Sequence, residues 1–161
     1  HRRIAFIGDI ENGSFGFESS AKRHQGYRDA LRVAGLEAES RYQRTGPHGS
    51  DISRQIAHEL LTLPDPPTAI FASSDTQAIG VMEAAKEARV KIPTELSVIG
   101  FDDIEISAYL GLTTVRHPLY ESGLIAAELV IEHIRDPSCA PRRVEQELEV
   151  IVRSTTGPPR D

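Results

Sequence analysis

Two polar positions in the middle of the sequence could bind a small ligand. Ser74 follows the apolar run Ala69–Ala72, and the acidic pair Asp102 and Asp103 follows the apolar run Leu96–Phe101. Both runs contain residues that favour β-strands. A hydroxyl group and a carboxylate at the ends of two strands can exchange hydrogen bonds with a polar small molecule.

The segment between these runs is predicted to be a helix. Asp75 is well placed to cap it, because a carboxylate there can accept hydrogen bonds from the free N–H groups of the first turn. Pro93 stops the helix before the second strand. A strand–helix–strand unit of this length forms a parallel crossover, and ligands bind just outside the carboxyl ends of such strands, where Ser74 and Asp102 lie. The apolar stripe predicted to face the sheet comprises Ile79, Met82 and Ala85.

The remaining sequence continues the alternation of strands and helices. Further strands are predicted at Ile4–Gly8, Ala38–Gln43, Leu112–Val115 and Glu147–Val152, and further helices at Ser20–Ala34, Ser50–Leu63 and Leu119–Ile134. Residues 104–111 are predicted to be an irregular connection. This order predicts an α/β fold with a doubly wound parallel sheet in three layers, α/β/α.

The composition limits the kind of partner. The 161 residues carry a net charge of -6, which disfavours a nucleic-acid surface and attachment to an anionic membrane. No apolar run approaches the roughly 20 residues of a membrane-spanning helix, and the first residues do not resemble a secretory signal. The single cysteine, Cys139, cannot form an internal disulfide, so we expect a cytoplasmic protein.

The motifs of common enzymes are not found in the sequence. The glycines Gly8, Gly13 and Gly16 lack the dinucleotide-binding spacing, and no Gly-x-Ser-x-Gly nucleophile motif occurs. The histidines are scattered without metal-ligand spacing: His1, His24, His48, His58, His117 and His133. We therefore predict no metal and no cofactor, and a binding domain rather than an enzyme.

Several stretches carry a family resemblance. The sequence from IFASSDTQAIG to IPTELSVIGFDD, followed by LTTVRHP, resembles the effector-binding domain of LacI/GalR-type bacterial transcription regulators. The opening HRRIAFIGD and the closing EVIVRST fit the same pattern. The IPTELSVIGFDD and LTTVRHP stretches are the specific part, because periplasmic sugar-binding proteins share only looser features.

The resemblance implies a two-lobed domain that binds a small effector, often a sugar, between its lobes. Residues 1–111 would form the C-terminal lobe, residues 112–137 would cross to the N-terminal lobe, and residues 138–161 would return. A DNA-binding headpiece and most of the N-terminal lobe would lie elsewhere in a longer protein, as the start at His1 without a methionine also leads us to expect. Such regulators form homodimers, so the predicted partners are an effector, operator DNA and a second copy.

The resemblance also implies effector-binding residues. Arg23, three places before Gly26, would donate hydrogen bonds to sugar hydroxyls or a carboxylate, and Asp102 would accept from adjacent hydroxyls. Each has a plainer interpretation, a solvated helix arginine and a turn-forming aspartate. The other candidates are Ser74, where relatives often have Asn, His117, where they often have Gln, and the loop residues Ser19, Phe15 and Phe17.

Two other interpretations stay open at the level of sequence. A transport receptor for a sugar would share the looser motifs but not LTTVRHP. A phosphoacceptor site at Asp102 and Asp103 would need a partner lysine, which the sequence does not identify.

The helix at Leu119–Ile134 is expected to bury its apolar stripe against strands of the other lobe, and without them to fold back, dimerise or swap.

Overall fold

A computed structural model describes residues 1–10 and 18–159 as a six-stranded sheet with helices on both faces. The strands are β1 (Ile4–Asp9), β2 (Gln43–Gly46), β3 (Ala69–Ala72), β4 (Ser97–Asp102), β5 (Thr113–Arg116) and β6 (Glu149–Ile151). The helices are α1 (Glu18–Val33), α2 (Ser50–Leu61), α3 (Asp75–Glu87), α4 (Glu105–Tyr109) and α5 (Leu119–Arg135), and a 3-10 turn spans Ser40–Tyr42.

The strand order is β2-β1-β3-β4-β5-β6. The first five strands run parallel, and β6 pairs antiparallel with β5 at the edge. The predicted doubly wound α/β fold is confirmed, with this one antiparallel strand added. Because the chain goes outward from β1 to β2 and returns to β3 on the other side, the sheet changes winding direction between β1 and β3.

The three layers follow from the alternation of side chains along the strands. In β1, Phe6 packs with Tyr27 and Leu31 of α1 on one face. Its neighbours Ala5 and Ile7 join the core under α2 and α3 on the other face. Each strand residue therefore helps to attach a helix to one side of the sheet.

The start of α3 differs from the prediction. Ser74, not Asp75, caps the helix, and its Oγ accepts a hydrogen bond from the backbone N–H of Gln77 at 3.2 Å. Asp75 is the first helical residue, and its carboxylate turns away toward other elements. The predicted stripe is also rotated: Ile79 and Met82 are half-buried, whereas the fully buried face includes Ala78, Val81, Ala84 and Ala85, because α3 lies between the sheet and α2.

Two connections also differ from their predictions. The strand expected at Ala38–Gln43 begins only at Gln43, because β2 pairs with the carboxyl-terminal half of β1, from Phe6 to Asp9. The preceding residues form the 3-10 turn, in which the buried Tyr42 donates to the carbonyl of Asp65 at 2.7 Å. Residues 104–111, expected to be irregular, contain the short helix α4.

Helix α5 is the element with the least packing in the described part of the chain. None of its residues is buried. The side-chain hydrogen bonds it makes stay within its own neighbourhood, from Ser122 to Gln146, Arg142 to Glu132, and His133 to Cys139. Across residues 1–10 and 18–159, every helix is too short or too polar to cross a membrane.

Candidate functional site

The polar residues of interest gather at the carboxyl edge of the parallel strands. Asp9 ends β1, Ser73 and Ser74 follow β3, and Asp102 ends β4. His117 follows directly after β5, whose last residue Arg116 is in register with Asp102. Helix α3 begins directly after β3, so the positive end of its dipole lies at this edge, which is where α/β sheets bind ligands.

Arg23 of α1 crosses this edge and connects two strands. Its Nη1 donates to the carbonyl of Ser73 at 2.6 Å, and its Nη2 reaches Oδ1 of Asp102 at 3.4 Å. The guanidinium lies over the ring of Phe101, 3.7 Å from the centroid. The side chains of Arg23 and Asp102 keep 22% and 32% of their surface exposed, so both can still meet a ligand.

The electrostatics of this pair are unfavourable to both charges. Burial lowers the pKa of Arg23 below its ordinary value, although Asp102, Asp9 and Asp75 oppose that shift. Burial also raises the pKa of Asp102, and Arg23 offsets this only in part. The long contact of 3.4 Å accounts for the incomplete compensation. Further hydrogen bonds to either group would therefore stabilise its charged form.

A second network lies beside the pair, where the winding direction changes. Ser20 of α1 accepts from the backbone N–H of Asp9 at 2.9 Å and donates to Ser73 Oγ at 3.4 Å. Gln77 accepts from Ser73 at 2.7 Å and donates to Oδ1 of Asp9 at 3.0 Å. His48 Nδ1 lies 3.1 Å from the same Asp9 oxygen. These contacts fix the ends of β1 and β3 relative to α1 and α3.

Asp103 serves a different purpose from its neighbour Asp102. Its carboxylate is held by Arg153 Nη2 at 2.6 Å and Arg116 Nε at 2.8 Å. Burial raises the pKa of Asp103, but the hydrogen bonds from Arg153 and Arg116 outweigh it and hold the pKa below its usual value. Arg116 also donates to Glu149 at 3.1 Å, so this network ties the end of β4 to β5 and to the edge strand β6.

The sequence-predicted site residues have different surroundings. Arg23, Asp102 and Ser74 meet at one edge, although Ser74 is buried and its hydroxyl is engaged with Gln77. His117 is half-buried and near enough to Asp102 to affect its charge. Ser19 is exposed, and its neighbour Ser20 makes the contacts described above. The loop candidates Phe15 and Phe17 lie outside the described residues.

The fold also brings to this edge five residues that were not predicted from the sequence, namely Asp9, Ser20, Ser73, Gln77 and Phe101. For Asp9 and Ser73 the signal was available, because each directly follows a predicted strand, as Asp102 does. The part of the chain that the structure describes contains no group of three or more His, Cys, Asp or Glu side chains that could hold a metal ion.

A parallel sheet with donors and acceptors collected at its carboxyl edge has the architecture of a small-molecule-binding α/β domain. The sequence matches the family model of the periplasmic binding protein-like domain over residues 1–156. The chain belongs to this family of domains.

Individual relatives narrow the comparison. The chain is 35% identical over 157 residues to the Bacillus subtilis (strain 168) protein named "Probable HTH-type transcriptional repressor ExuR", covering 96% of this chain and 46% of that protein. It is 35% identical over 158 residues to the HTH-type transcriptional repressor CytR of Escherichia coli (strain K12), covering 97% and 45%. The resemblance to LacI-type regulators is thereby confirmed, and the chain spans about half the length of these curated relatives.

A solved structure agrees with this assignment. The LacI family transcriptional regulator from Enterococcus faecium, determined with bound ribose, superposes with a TM-score of 0.89 at 26% identity. The match covers 99% of this chain and 58% of that one.

Proposed function

We propose that this chain is the effector-sensing part of a DNA-binding transcription regulator, a repressor, and that its effector is a sugar-like molecule bound at the carboxyl edge of the sheet. The observation that carries the proposal is the partly exposed pair of Arg23 and Asp102, whose contact is long, at 3.4 Å. The relatives named as repressors and the ribose-bound structure support the same role.

The pair suits adjacent hydroxyl groups on a sugar ring. Each hydroxyl both donates and accepts, so one can donate to Asp102 while its neighbour accepts from Arg23. These hydrogen bonds would add to a contact that leaves both charges under-compensated. His48 and His117, whose charges lower the pKa of Asp102, would border the bound molecule.

The remaining parts of the proposal concern a longer protein. Residues 1–111 and 138–161 would belong to the C-terminal lobe, and residues 112–137 would cross to the N-terminal lobe, although β5 already pairs within the present sheet. A headpiece outside this chain would bind operator DNA, and the protein would act as a cytoplasmic homodimer without enzymatic activity. Effector binding would shift the balance between lobe arrangements and so change operator affinity.

A thermal-shift screen of sugars and nucleosides, including D-ribose, tests the binding site. A ligand that binds only the folded state stabilises it by about 2.7 kcal/mol at a hundredfold excess over its dissociation constant. Removing a hydrogen bond to a charged group costs about 1.5–3 kcal/mol, so Arg23→Ala and Asp102→Ala should each weaken binding about ten- to hundredfold. Arg28→Ala is the matched control, because Arg28 is an exposed arginine of the same helix that contacts Gln25.

The outcomes separate the alternatives. A ligand whose affinity falls in both site variants and not in the control supports the site. A ligand that binds all three variants equally would contradict it.

A transport receptor is the second candidate, since the family of domains includes periplasmic binding proteins. Sugar-dependent release of an operator fragment by the longer protein would decide for the regulator, and its absence despite sugar binding would favour the receptor.

A further inference from the structure

The most deeply buried carboxylate of the described chain is not among the proposed ligand contacts. Asp75 has 0% exposure and forms no ion pair within the described residues. Its Oδ2 accepts from the backbone N–H of Ile104 at 3.0 Å and from Ser107 Oγ at 2.6 Å. Its Oδ1 accepts from Thr114 Oγ1 at 2.5 Å. A buried carboxylate is costly unless such donors compensate it, and its position in the first turn of α3 adds the favourable end of the helix dipole.

The three donors surround the turn that carries Asp102. Ile104 follows the acidic pair, Ser107 lies in α4, and Thr114 lies in β5 beside β4. One side chain of α3 therefore fixes the position of the turn, of the helix after it and of the neighbouring strand. These segments are distant in sequence from Asp75, so local structure alone does not hold them together.

The turn itself needs such support. Asp102 and Asp103 have φ angles of 115° and 55°, in the region of positive φ that residues other than glycine seldom adopt. Such conformations persist only where surrounding contacts impose them. Asp103 is held by two arginines, and the next residue, Ile104, is held by Asp75. The backbone of β4 also passes close to the Asp75 side chain, because a Cβ on Gly100 would lie 2.2 Å from Oδ1 of Asp75.

We propose that Asp75 is a positioning residue of the effector site, which holds the strained turn after β4 so that the carboxylate of Asp102 faces Arg23. This rests on the proposed function for its effect on binding, but its effect on the turn can be measured without any ligand. Asp75 itself is buried and does not touch the effector.

Three variants of this contact distinguish positioning from charge and from general stability. Asp75→Ala removes both acceptor oxygens and with them all three hydrogen bonds. Asp75→Asn keeps an acceptor oxygen for Ile104 and Ser107, and its amide can donate to the hydroxyl of Thr114, which rotates to accept. Ser107→Ala removes a single donor. Tyr42→Phe is the matched control, because it also removes one hydrogen bond of a buried side chain, at the opposite end of the strands.

The experiment measures amide hydrogen exchange at Ile104 and the dissociation constant of D-ribose, both at a temperature where every variant is folded. Asp75→Ala should speed exchange at Ile104 about tenfold and weaken D-ribose binding about tenfold or more, because a charge-assisted hydrogen bond is lost. Asp75→Asn should keep the exchange rate and the dissociation constant within about threefold of the wild-type values, and Tyr42→Phe should leave both unchanged. If Asp75→Ala does not fold, Ser107→Ala should show a smaller change in the same direction.

Unchanged exchange at Ile104 and unchanged affinity in a folded Asp75→Ala variant would overturn the proposal. Loss of affinity in Asp75→Asn with exchange preserved would also overturn it, since the charge and not the position would then matter. A wild-type chain that does not bind D-ribose bears on the ligand class of the proposed function only, and the exchange comparison then decides the role of Asp75.

Discussion

The guanidinium of Arg23 lies over the ring of Phe101, 3.7 Å from its centroid, and Phe101 directly precedes the aspartate that Arg23 reaches. The ring thus supports one face of the cation, and the Arg23 side chain keeps 22% of its surface exposed. A cation–π contact that is partly removed from water is worth about 1 to 2 kcal/mol. This contact restricts Arg23 before any effector arrives.

We predict that Phe101→Leu weakens effector binding about tenfold, because Arg23 loses its support and must be ordered by the ligand. Isothermal titration calorimetry with a sugar that binds the wild type measures the change. Phe71→Leu is the control, as a half-buried phenylalanine of β3 that packs with Phe6 on the same face of the sheet. An affinity equal to that of the wild type in Phe101→Leu would show that the ring serves the core alone.

The pair of Arg23 and Asp102 is predicted to contribute little to stability. Burial shifts the pKa of each group toward its neutral form, so the charges are held at a cost in the unliganded protein. Each of Arg23→Met and Asp102→Asn alone leaves a partner uncompensated, whereas the double variant should match the wild-type free energy of unfolding to within about 1 kcal/mol or exceed it. Urea denaturation of all four proteins tests this, and a double variant weaker than both singles would contradict it.

Asp103 should make stability fall in acid. Its pKa is lowered in the folded state, so its contribution is fully present above the unfolded value near 4 and is lost as the pH falls through the folded value. Asp103→Asn should lose about 2 kcal/mol at pH 7, because it gives up charge-assisted hydrogen bonds to two arginines, and should then lose less than the wild type on acidification.

Unfolding curves at pH 7 and at a pH below about 4 measure this difference. The exposed Glu147→Gln serves as the control and should follow the wild type at both values. Equal acid sensitivity of wild type and Asp103→Asn would show that other carboxylates dominate the acid transition. The raised pKa of Asp102 works against the Asp103 effect, because protonation of Asp102 favours the folded state, so removing both charges should flatten the acid limb less than Asp103→Asn alone.

Two glycines should respond in opposite directions to alanine. A Cβ on Gly100 would meet Asp75 Oδ1 at 2.2 Å, so Gly100→Ala should destabilise the chain by about 2 kcal/mol and disturb the turn at Asp102. A Cβ on Gly26, within α1, meets nothing within 4 Å, so Gly26→Ala should stabilise the helix by up to about 1 kcal/mol. Thermal unfolding of the two variants checks both signs, and a neutral Gly100→Ala would mean that Asp75 can move.

Helix α5 should make the chain associate in solution. Its exposed apolar residues include Leu119, Leu124, Val130, Ile131 and Ile134. A patch of this kind on a protein surface favours association. We expect sedimentation velocity to give species heavier than the 17.7 kDa monomer, and Ile131→Glu with Ile134→Glu to restore the monomer. Val33→Glu, at an exposed site on α1, should have no effect. A wild-type monomer at high concentration would contradict the prediction.

The sequence predicted the elements well and the side-chain partners poorly, for physical reasons. Strand β3 has the predicted bounds, Ala69–Ala72, because a short apolar run between polar turns has few alternatives. Strand β2 begins where its predicted strand ended, since its limits depend on pairing with β1 and not on its own residues. Local patterns determine that a strand exists, and its neighbours determine where it stops.

The same contrast between local pattern and distant contacts holds for the candidate site. The position of Asp102 and Ser74 at the carboxyl edge could be predicted because both follow recognisable strands, whereas Arg23 was named as a candidate because of the family resemblance. Asp75 was assigned to a helix cap on local grounds, but its partners are 29 to 39 residues away and become neighbours only in the folded sheet. Ser19 is exposed, whereas Ser20, one residue later and about 100° further round the helix, is buried and contacts Asp9 and Ser73, and the sequence around a loop does not determine this helical phase.

The antiparallel pairing of β6 with β5 has a consequence for how this chain can be divided. Arg116 and Glu149 are register partners and are joined by a 3.1 Å ion pair, so the chain leaves and re-enters the sheet at one place. The residues between them, including α5, form an insertion whose two ends are held together by this pairing. The entropic cost of closing such a loop depends only weakly on its length. A short turn in place of residues 117–148 should therefore leave the sheet and the Asp102 edge folded, as a smaller, self-contained scaffold.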